Sequence, residues 1–317
     1  IDLKEVQRAV DDVYTTPRTF SINSPIMKQL RRTEAGADIA TMDDMARLYR
    51  EHVTGQHPGF NLRDLWPQLH DDFWVYHQEV VTVLGATGMG KSSFCQTLLA
   101  DLEGKSVLHM TFENTRHLTF RRYVQIKRDM RKDDVNRAIQ NGRQDLQKGL
   151  EHILVKESRA GFDEVVSLCA QLEPTILFVD TLDKIEYNGV TDLYQKVTQL
   201  MPKIHDAAKE LNLIVLLVSH VNRASARNGL DVYSGLGGGA IEQNSDKVLI
   251  VDGERHSPWR YLWTAKARDE SPFKLRMYFD AEKSFRYIPR EQVPLNLEDD
   301  DDRSLSTKSV SNLTRVK

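Results

Sequence analysis

The 317-residue chain is 40% hydrophobic and 28% charged, which suits one sizeable core plus some extra segments. Its formal net charge of -3 excludes a global electrostatic case for nucleic acid, so any such binding has to come from a local patch or channel. Two cysteines, Cys95 and Cys169, exclude a disulfide framework and a zinc site and fit a reducing compartment; without an apolar run of about 18 residues or a signal-peptide pattern, the chain reads as soluble and cytosolic.

In chain order, the first residue is Ile1 rather than Met, which reads as a fragment or processed product and leaves an upstream domain open. Two amphipathic helices are predicted in the N-terminal part, over residues 3–14 and 42–52, with residues 15–40 as a linker. They either cover the core or dock on a neighbouring subunit. From Val80 onward, short β-branched runs alternate with helix-period segments, the signature of strand-helix units around a parallel sheet. Strands are expected at 79–84, 106–112, 152–155, 175–179 and 213–219, buried on both faces. Amphipathic helices are expected at 93–102, 162–172 and 192–211, the last kinked at Pro202. After Asp246 the strands at 247–251, 260–265, 273–279 and 284–288 follow one another without helices, so antiparallel pairing is expected. From Leu297 the composition turns acidic, then Ser- and Thr-rich, as in a disordered tail or a partner-binding one. The expected division is 1–58 as a helical linker and docking segment, 59–292 as an α/β NTPase domain, and 293–317 as the tail.

Gly85-Ala86-Thr87-Gly88-Met89-Gly90-Lys91-Ser92 fits G-x-x-x-x-G-K-[ST], between a predicted strand and a predicted helix. The glycines let backbone N–H groups converge on phosphates, and the helix N-terminus adds positive potential. Lys91 is the expected contact to the β- and γ-phosphates, and Ser92 the magnesium ligand, with Ser93 beside it. A P-loop also needs a carboxylate for hydrated magnesium, and Asp180 ends the apolar run Ile176-Leu177-Phe178-Val179, although a helix cap is the alternative. Glu113 closes the strand after the P-loop helix and is the general-base candidate, or a cap for the next helix. His220 ends the 213–219 strand and is a candidate γ-phosphate sensor, or a satisfied polar residue.

Three further features stand out. Residues 233–240 are too rich in glycine for regular structure and read as a phosphate-holding loop or a plain linker. Lys266 and Arg268 flank Ala267 at the end of a strand and share one face, functional or merely solvated. Arg116, Arg121, Arg122, Lys127, Arg128, Arg131 and Lys132 gather with interleaved aspartates and read as a solvated helix surface.

Taken in order, GATGMGKSS, TFEN, ILFVDTLD, LLVSHVNR, GGGAIEQNSD and AKAR resemble the C-terminal motor of the DnaB-type replicative helicases, including the phage primase-helicases. The resemblance runs from about Gly59 to Ile288, with residues 59–65 similar to the segment that leads into the P-loop. It implies a RecA-like fold, a ring, usually a hexamer, and a nucleotide between subunits. Glu113 matches the family's catalytic glutamate, Asp180 the Walker B aspartate and His220 the polar residue that reports γ-phosphate to the DNA loops. Lys266 and Arg268 match the pair supplied in trans by the adjacent subunit. Magnesium with ATP or another nucleoside triphosphate, single-stranded DNA, and primase or polymerase partners are implied, and no membrane. Many members carry an Arg in the central loop where this chain has Leu236 and then Gly237. Gly237, Gly238 and Gly239 backbone, with Arg223, Arg227 or Lys184, are then the candidate DNA contacts. The leading expectation is an NTP-driven ring helicase. The alternatives are a RecA-like recombination ATPase that coats single strands without unwinding, and an adaptor with an idle P-loop.

Overall fold

The structure, a computed structural model, describes residues 42–54, 59–187, 189–221, 230–231, 233–235, 238–254 and 256–293. The chain divides into two units, residues 1–58 and 59–317. The first contributes α1 (Met42–Thr54). Its Met42, Met45 and Tyr49, spaced three and four residues apart, lie 76%, 51% and 68% exposed, forming the apolar stripe its sequence predicts. Residues 3–40, and the tail from 297, lie outside the described residues.

The second unit opens with the two-stranded antiparallel sheet of β1 (Gly59–Asn61) and β2 (Trp74–Tyr76), joined through the short helix α2 (Leu62–Leu65). A nine-stranded sheet follows, built from β3 (Val80–Gly85), β4 (Val107–Thr111), β5 (Ile153–Glu157), β6 (Ile176–Asp180), β7 (Ile214–His220), β8 (Lys247–Asp252), β9 (Trp259–Ala267), β10 (Lys274–Phe279) and β11 (Tyr287–Pro289). The order is β11-β10-β9-β8-β3-β7-β6-β4-β5. Pairing is parallel from β8 to β5 and antiparallel from β8 to β11. β8 is thus the pivot, parallel to β3 on one side and antiparallel to β9 on the other. The helices are α3 (Lys91–Asp101), α4 (Arg116–Arg128), α5 (Lys132–Gln140), α6 (Phe162–Leu172), α7 (Leu193–Glu210) and α8 (Gly238–Asn244). α7 continues through Pro202 as one helix. Among the described residues no helix is long and apolar enough to cross a membrane.

The period of two divides the central strands between two cores. Val81, Val83, Val107, Ile176, Phe178, Ile214, Leu216 and Val218 join α3, α4 and the antiparallel strands on one face. Val80, Leu84, Leu108, Met110, Leu177, Val179, Val215 and Leu217 join α6, α7 and Ile241 of α8 on the other. Each buried branched side chain contributes about 1.5–3 kcal/mol relative to exposure, so together they fix the register of the sheet.

Three expectations need correction. α3 is not amphipathic in effect: Ser93 through Ala100 are all buried, because Tyr287 packs edge-on to Phe94 at 5.7 Å while α4 covers another side. Its polar face meets protein, with the Tyr287 N–H on Thr97 Oγ1 at 3.2 Å. The basic run over α4 is not simply a solvated surface. Lys127 Nζ donates to the Ala100 carbonyl at 2.9 Å, Arg128 donates to the carbonyls of Asp145, Leu146 and Lys148, and Arg122 stacks over Phe285 at 5.0 Å. Lys127 and Arg128 satisfy carbonyls that the α3 C-terminus and the turn at 145–148 leave open. Finally, Gly238, Gly239 and Ala240 form the first turn of α8 rather than a loop. Burial of Ile241 against Leu84 and its neighbours outweighs the low helix propensity of two glycines, about 1 kcal/mol each.

His109 sits fully buried in β4 with the Tyr123 hydroxyl 3.1 Å from Nδ1. Burial pushes its imidazole down from 6.5 to about 3. Below pH 6.5 the unfolded chain takes up a proton that the folded chain refuses, so stability falls with pH by up to about 1.4 kcal/mol per unit. Urea unfolding between pH 6.5 and 5 is expected to show a slope shallower by about one proton in His109→Gln; an unchanged slope contradicts this account.

Candidate active site

The phosphate loop joins β3 to α3, where the sequence predicts it. Gly88 and Gly90 take φ values of +85° and +89°, a region that side-chain-bearing residues avoid. At Gly90 space forbids a side chain as well, since a Cβ would meet the Tyr287 hydroxyl at 2.6 Å and the Phe279 ring at 2.9 Å. Thr87 and Gly88 are exposed at the tip, whereas Met89 is buried in the core. Met89 therefore serves the loop through its backbone alone. Lys91 is folded back, Nζ donating to the carbonyls of Gly85 at 2.8 Å and Ala86 at 3.1 Å.

Strand register brings the other candidates to the same carboxyl edge. Gly85 pairs with His220, and Asp180 lies between Thr111 and Val218, so Glu113, two residues beyond Thr111, emerges beside them. Ser92 Oγ donates to Asp180 Oδ1 at 2.8 Å. His220 bridges the remaining pair, with Nδ1 3.5 Å from Lys91 Nζ and Nε2 3.8 Å from Glu113 Oε1. The Asp180 residue is fully buried, while the Glu113 side chain is 41% exposed. Lys91, Ser92, Glu113, Asp180 and His220 thus form one cluster.

Two residues absent from the sequence reading complete the loop's support. The Tyr287 hydroxyl donates to the Met89 carbonyl at 2.7 Å, and Arg260 Nε donates to the same oxygen at 3.3 Å. Arg260 Nη1 in turn holds the carbonyls of Glu254, Ser257 and Trp259. Both side chains come from the antiparallel strands. Nothing local in the sequence links them to a loop some 170 and 198 residues earlier in the chain.

Lys266 and Arg268 do not join the cluster. Lys247 of β8 lies beside Val81 of β3, and β9 returns to pair Ala267 with Lys247. That is the amino edge of the sheet, roughly 13 Å of strand away from Gly85 at about 3.3 Å per residue. Lys184, the remaining basic candidate, follows β6 in a 3-10 turn with its side chain 49% exposed. Arg223, Arg227, Leu236 and Gly237 lie outside the described residues.

Magnesium with a nucleoside triphosphate fits this cluster. Asp180 Oδ2 is buried without a hydrogen-bond partner, and Ser92 Oγ adjoins the other oxygen. No group of three or more His, Cys, Asp or Glu side chains able to hold a metal occurs among the described residues. A cation here would take Ser92 and Asp180 plus phosphate oxygens and water, the habit of magnesium. Bound there, it would neutralise phosphate charge. Burial pushes the Asp180 carboxyl up to about 6 and the Lys91 ammonium down to about 8, so both ions are held at a cost. For Asp180 the cost is full above pH 6, where the folded carboxylate is ionised, and vanishes below the ordinary value of 3.8. Asp180→Asn is therefore expected to stabilise the ligand-free protein at pH 8 by on the order of 2 kcal/mol and to change little at pH 4. Thermal unfolding at the two pH values measures it, and a destabilised variant at pH 8 contradicts it.

The DnaB-like helicase C terminal domain family matches residues 74–284. The replicative DNA helicase DnaB of Treponema pallidum (strain Nichols) is 28% identical over 115 residues, 36% of this chain and 26% of that protein; the match spans about a quarter of the relative's length. A solved ATPase domain aligns with a TM-score of 0.67 at 14% identity, over 79% of this chain and 99% of that one. A DnaB-like replicative helicase, solved to describe its interactions with primase, aligns with a TM-score of 0.64 at 14% identity, over 90% and 74%. At such identities the likeness establishes the fold, which is RecA-like, while the family match covers well over half the sequence. The chain belongs to the DnaB-like helicase C-terminal domain family.

Proposed function

We propose that this chain is the motor of a ring-shaped replicative DNA helicase, hydrolysing a nucleoside triphosphate with magnesium to draw one DNA strand through the ring. The observation that carries the reading is the division of the charged groups: Lys91, Ser92, Glu113, Asp180 and His220 cluster at the carboxyl edge, while Lys266 and Arg268 occupy the amino edge. A cation pair there cannot reach its own chain's phosphates. In a head-to-tail ring it meets the next subunit's, and such interfaces close by rotation. Arginine fingers of this kind are worth three to five orders of magnitude in rate.

Within one subunit, Lys91 exchanges the Gly85 and Ala86 carbonyls for β- and γ-phosphate oxygens, and Ser92 and Asp180 hold the metal. Glu113, the most exposed carboxylate of the cluster, orients the attacking water and takes its proton. His220, touching both Lys91 and Glu113, senses the γ-phosphate at the end of β7, immediately before residues 222–237 and their DNA contacts. ATP and dTTP are the fuels proposed, and the ring a hexamer. Residues 1–58 form the docking segment, with the exposed Met42, Met45 and Tyr49 of α1 seated on a neighbouring copy; residues 59–292 form the motor, and 293–317 the acidic tail. Primase and a polymerase are the partners proposed.

Unwinding of a forked duplex with magnesium and ATP or dTTP tests the function. Strand separation is expected, with hydrolysis falling at least about a hundredfold in Glu113→Gln; an assembled ring that hydrolyses nucleotide without separating strands refutes it. Mixing tests the shared site. Arg268→Ala and Lys91→Ala subunits are each inactive alone and are expected to regain hydrolysis when combined, because one supplies intact loops and the other intact cations. Absence of recovery in mixed rings rejects the trans assignment.

A further inference from the structure

Lys266 and Arg268 are held inside their own subunit by Glu242 of α8 and by Asp246, two residues past its end. Arg268 Nη1 donates to Asp246 Oδ1 at 2.8 Å, and the Arg268 N–H donates to the Asp246 carbonyl at 3.2 Å. Lys266 Nζ donates to the Glu242 carbonyl, with the Glu242 carboxylate 4.0 Å away. A bulge between Val248 and Leu249 of β8 resets the register, so that Lys266 faces Val248 while Thr264 faces Leu249, and Ala265 is the extra residue. Bulges of this kind re-aim side chains. Here Lys266 is turned toward Glu242 of α8 and Arg268 toward Asp246 in the turn after it.

Asp246 is a firm anchor. Its side chain is 9% exposed, against 50% for Arg268. Oδ2 accepts the Val80 N–H at 2.9 Å, its own N–H donates to the Val80 carbonyl at 2.8 Å, and His205 of α7 stands 3.9 Å from Oδ1. The carboxylate is thus pinned to the first residue of β3 while half the Arg268 side chain stays in solvent. The middle of α8 meets the described end of the central loop: Gly235 bridges to Val221, and a Cβ on Gly235 would strike Ile241 Cδ1 at 2.8 Å. Adjacent residues of one helix therefore touch Gly235 (Ile241) and Lys266 (Glu242), and the turn that follows it holds Arg268 through Asp246.

We propose that Asp246, assisted by Glu242, is a positioning residue that orients Arg268 and Lys266 toward the neighbouring subunit's phosphates, so that α8 and the turn after it set hydrolysis in the next subunit. The proposal rests on the trans assignment above. A charge-assisted bond to a buried carboxylate restricts a guanidinium that would otherwise sample many rotamers, and preorganised charge is what lowers a barrier. The competing account is local: Asp246 would serve only as an anchor for β3, and through β3 for its own phosphate loop.

Asp246→Asn separates the two, since Asn still accepts the Val80 N–H but no longer offers a charge to Arg268. Steady-state hydrolysis without DNA is expected to show kcat lowered about tenfold with nucleotide KM within about twofold. Equal mixing with Lys91→Ala subunits, whose Asp246 and Arg268 are intact, is expected to raise the rate per intact loop by about threefold or more, because normal cations then face Asp246→Asn loops. An unchanged kcat, or a loss that mixing fails to recover, overturns the proposal, the second outcome by locating the defect in the variant's own loop. Should Asp246→Asn fail to bind nucleotide or assemble, Glu242→Gln decides by the same mixing, with a loss of about threefold and a recovery of about twofold expected. The Arg268→Ala control is read first: if it does not recover on mixing with Lys91→Ala, the trans assignment itself has failed; if it recovers and the Asp246 and Glu242 variants do not, only the role of α8 has.

Discussion

Parallel pairing of β3 with both of its neighbours is the constraint on which the rest of the molecule depends. Between β7 and β8, β3 can end in only one place, so the loop after Gly85 opens at the edge where β7, β6 and β4 also end. Ligands of open α/β sheets bind outside that edge. Ser92 reaches Asp180 across the intervening β7 because α3 starts there and nowhere else. The reversal at β8 has the opposite effect, since every residue at the far end of β9 returns to the amino edge. Chemistry at one edge and cations at the other are two results of one topology.

The two edges also differ in how their charges are settled. At the amino edge, fully buried Lys247 pairs with Glu79 at 2.5 Å under the rings of Phe73 and Tyr76, and Asp246 makes four hydrogen bonds. Removing one member of such a buried pair would strand the other charge, so this edge is rigid. At the carboxyl edge the ions are underpaired: Asp180 keeps an unpartnered oxygen, and Lys91 has two backbone carbonyls and the His220 ring but no carboxylate in hydrogen-bond contact. An edge that binds a polyanion and a cation has to leave its own charges incompletely satisfied beforehand.

What is legible in the sequence follows from the range of each interaction. The phosphate loop is a local pattern of glycines, and Asp180 and Glu113 follow apolar runs whose length alone marks them as strands, so these are readable. The burial of α3 on nearly every side is not, because Phe94, Leu98 and Leu102 look like an ordinary stripe until Tyr287 reaches Phe94 and Thr97 and α4 covers another side. Gly238 and Gly239 read as loop because propensity is a local quantity, and the docking of Ile241 that overrides it is not. Arg122, Lys127 and Arg128 look like surface because carbonyl acceptors carry no sequence signature. Strand counting could have sent Lys266 and Arg268 to the far edge, yet the bulge at Ala265 that turns them toward Glu242 and Asp246 leaves no such trace.

The clamp on the Met89 carbonyl has a consequence for how the protein is made. The phosphate loop is synthesised early, but its two supports, Arg260 and Tyr287, are among the last parts of the motor to emerge. Domains assemble as units as the chain is produced. A nascent chain that already carries the whole G-x-x-x-x-G-K-S motif therefore still lacks the partners that hold it in shape. The clamp on the Met89 carbonyl is complete only with β11, so the loop gains both supports only when nearly the whole domain has been translated.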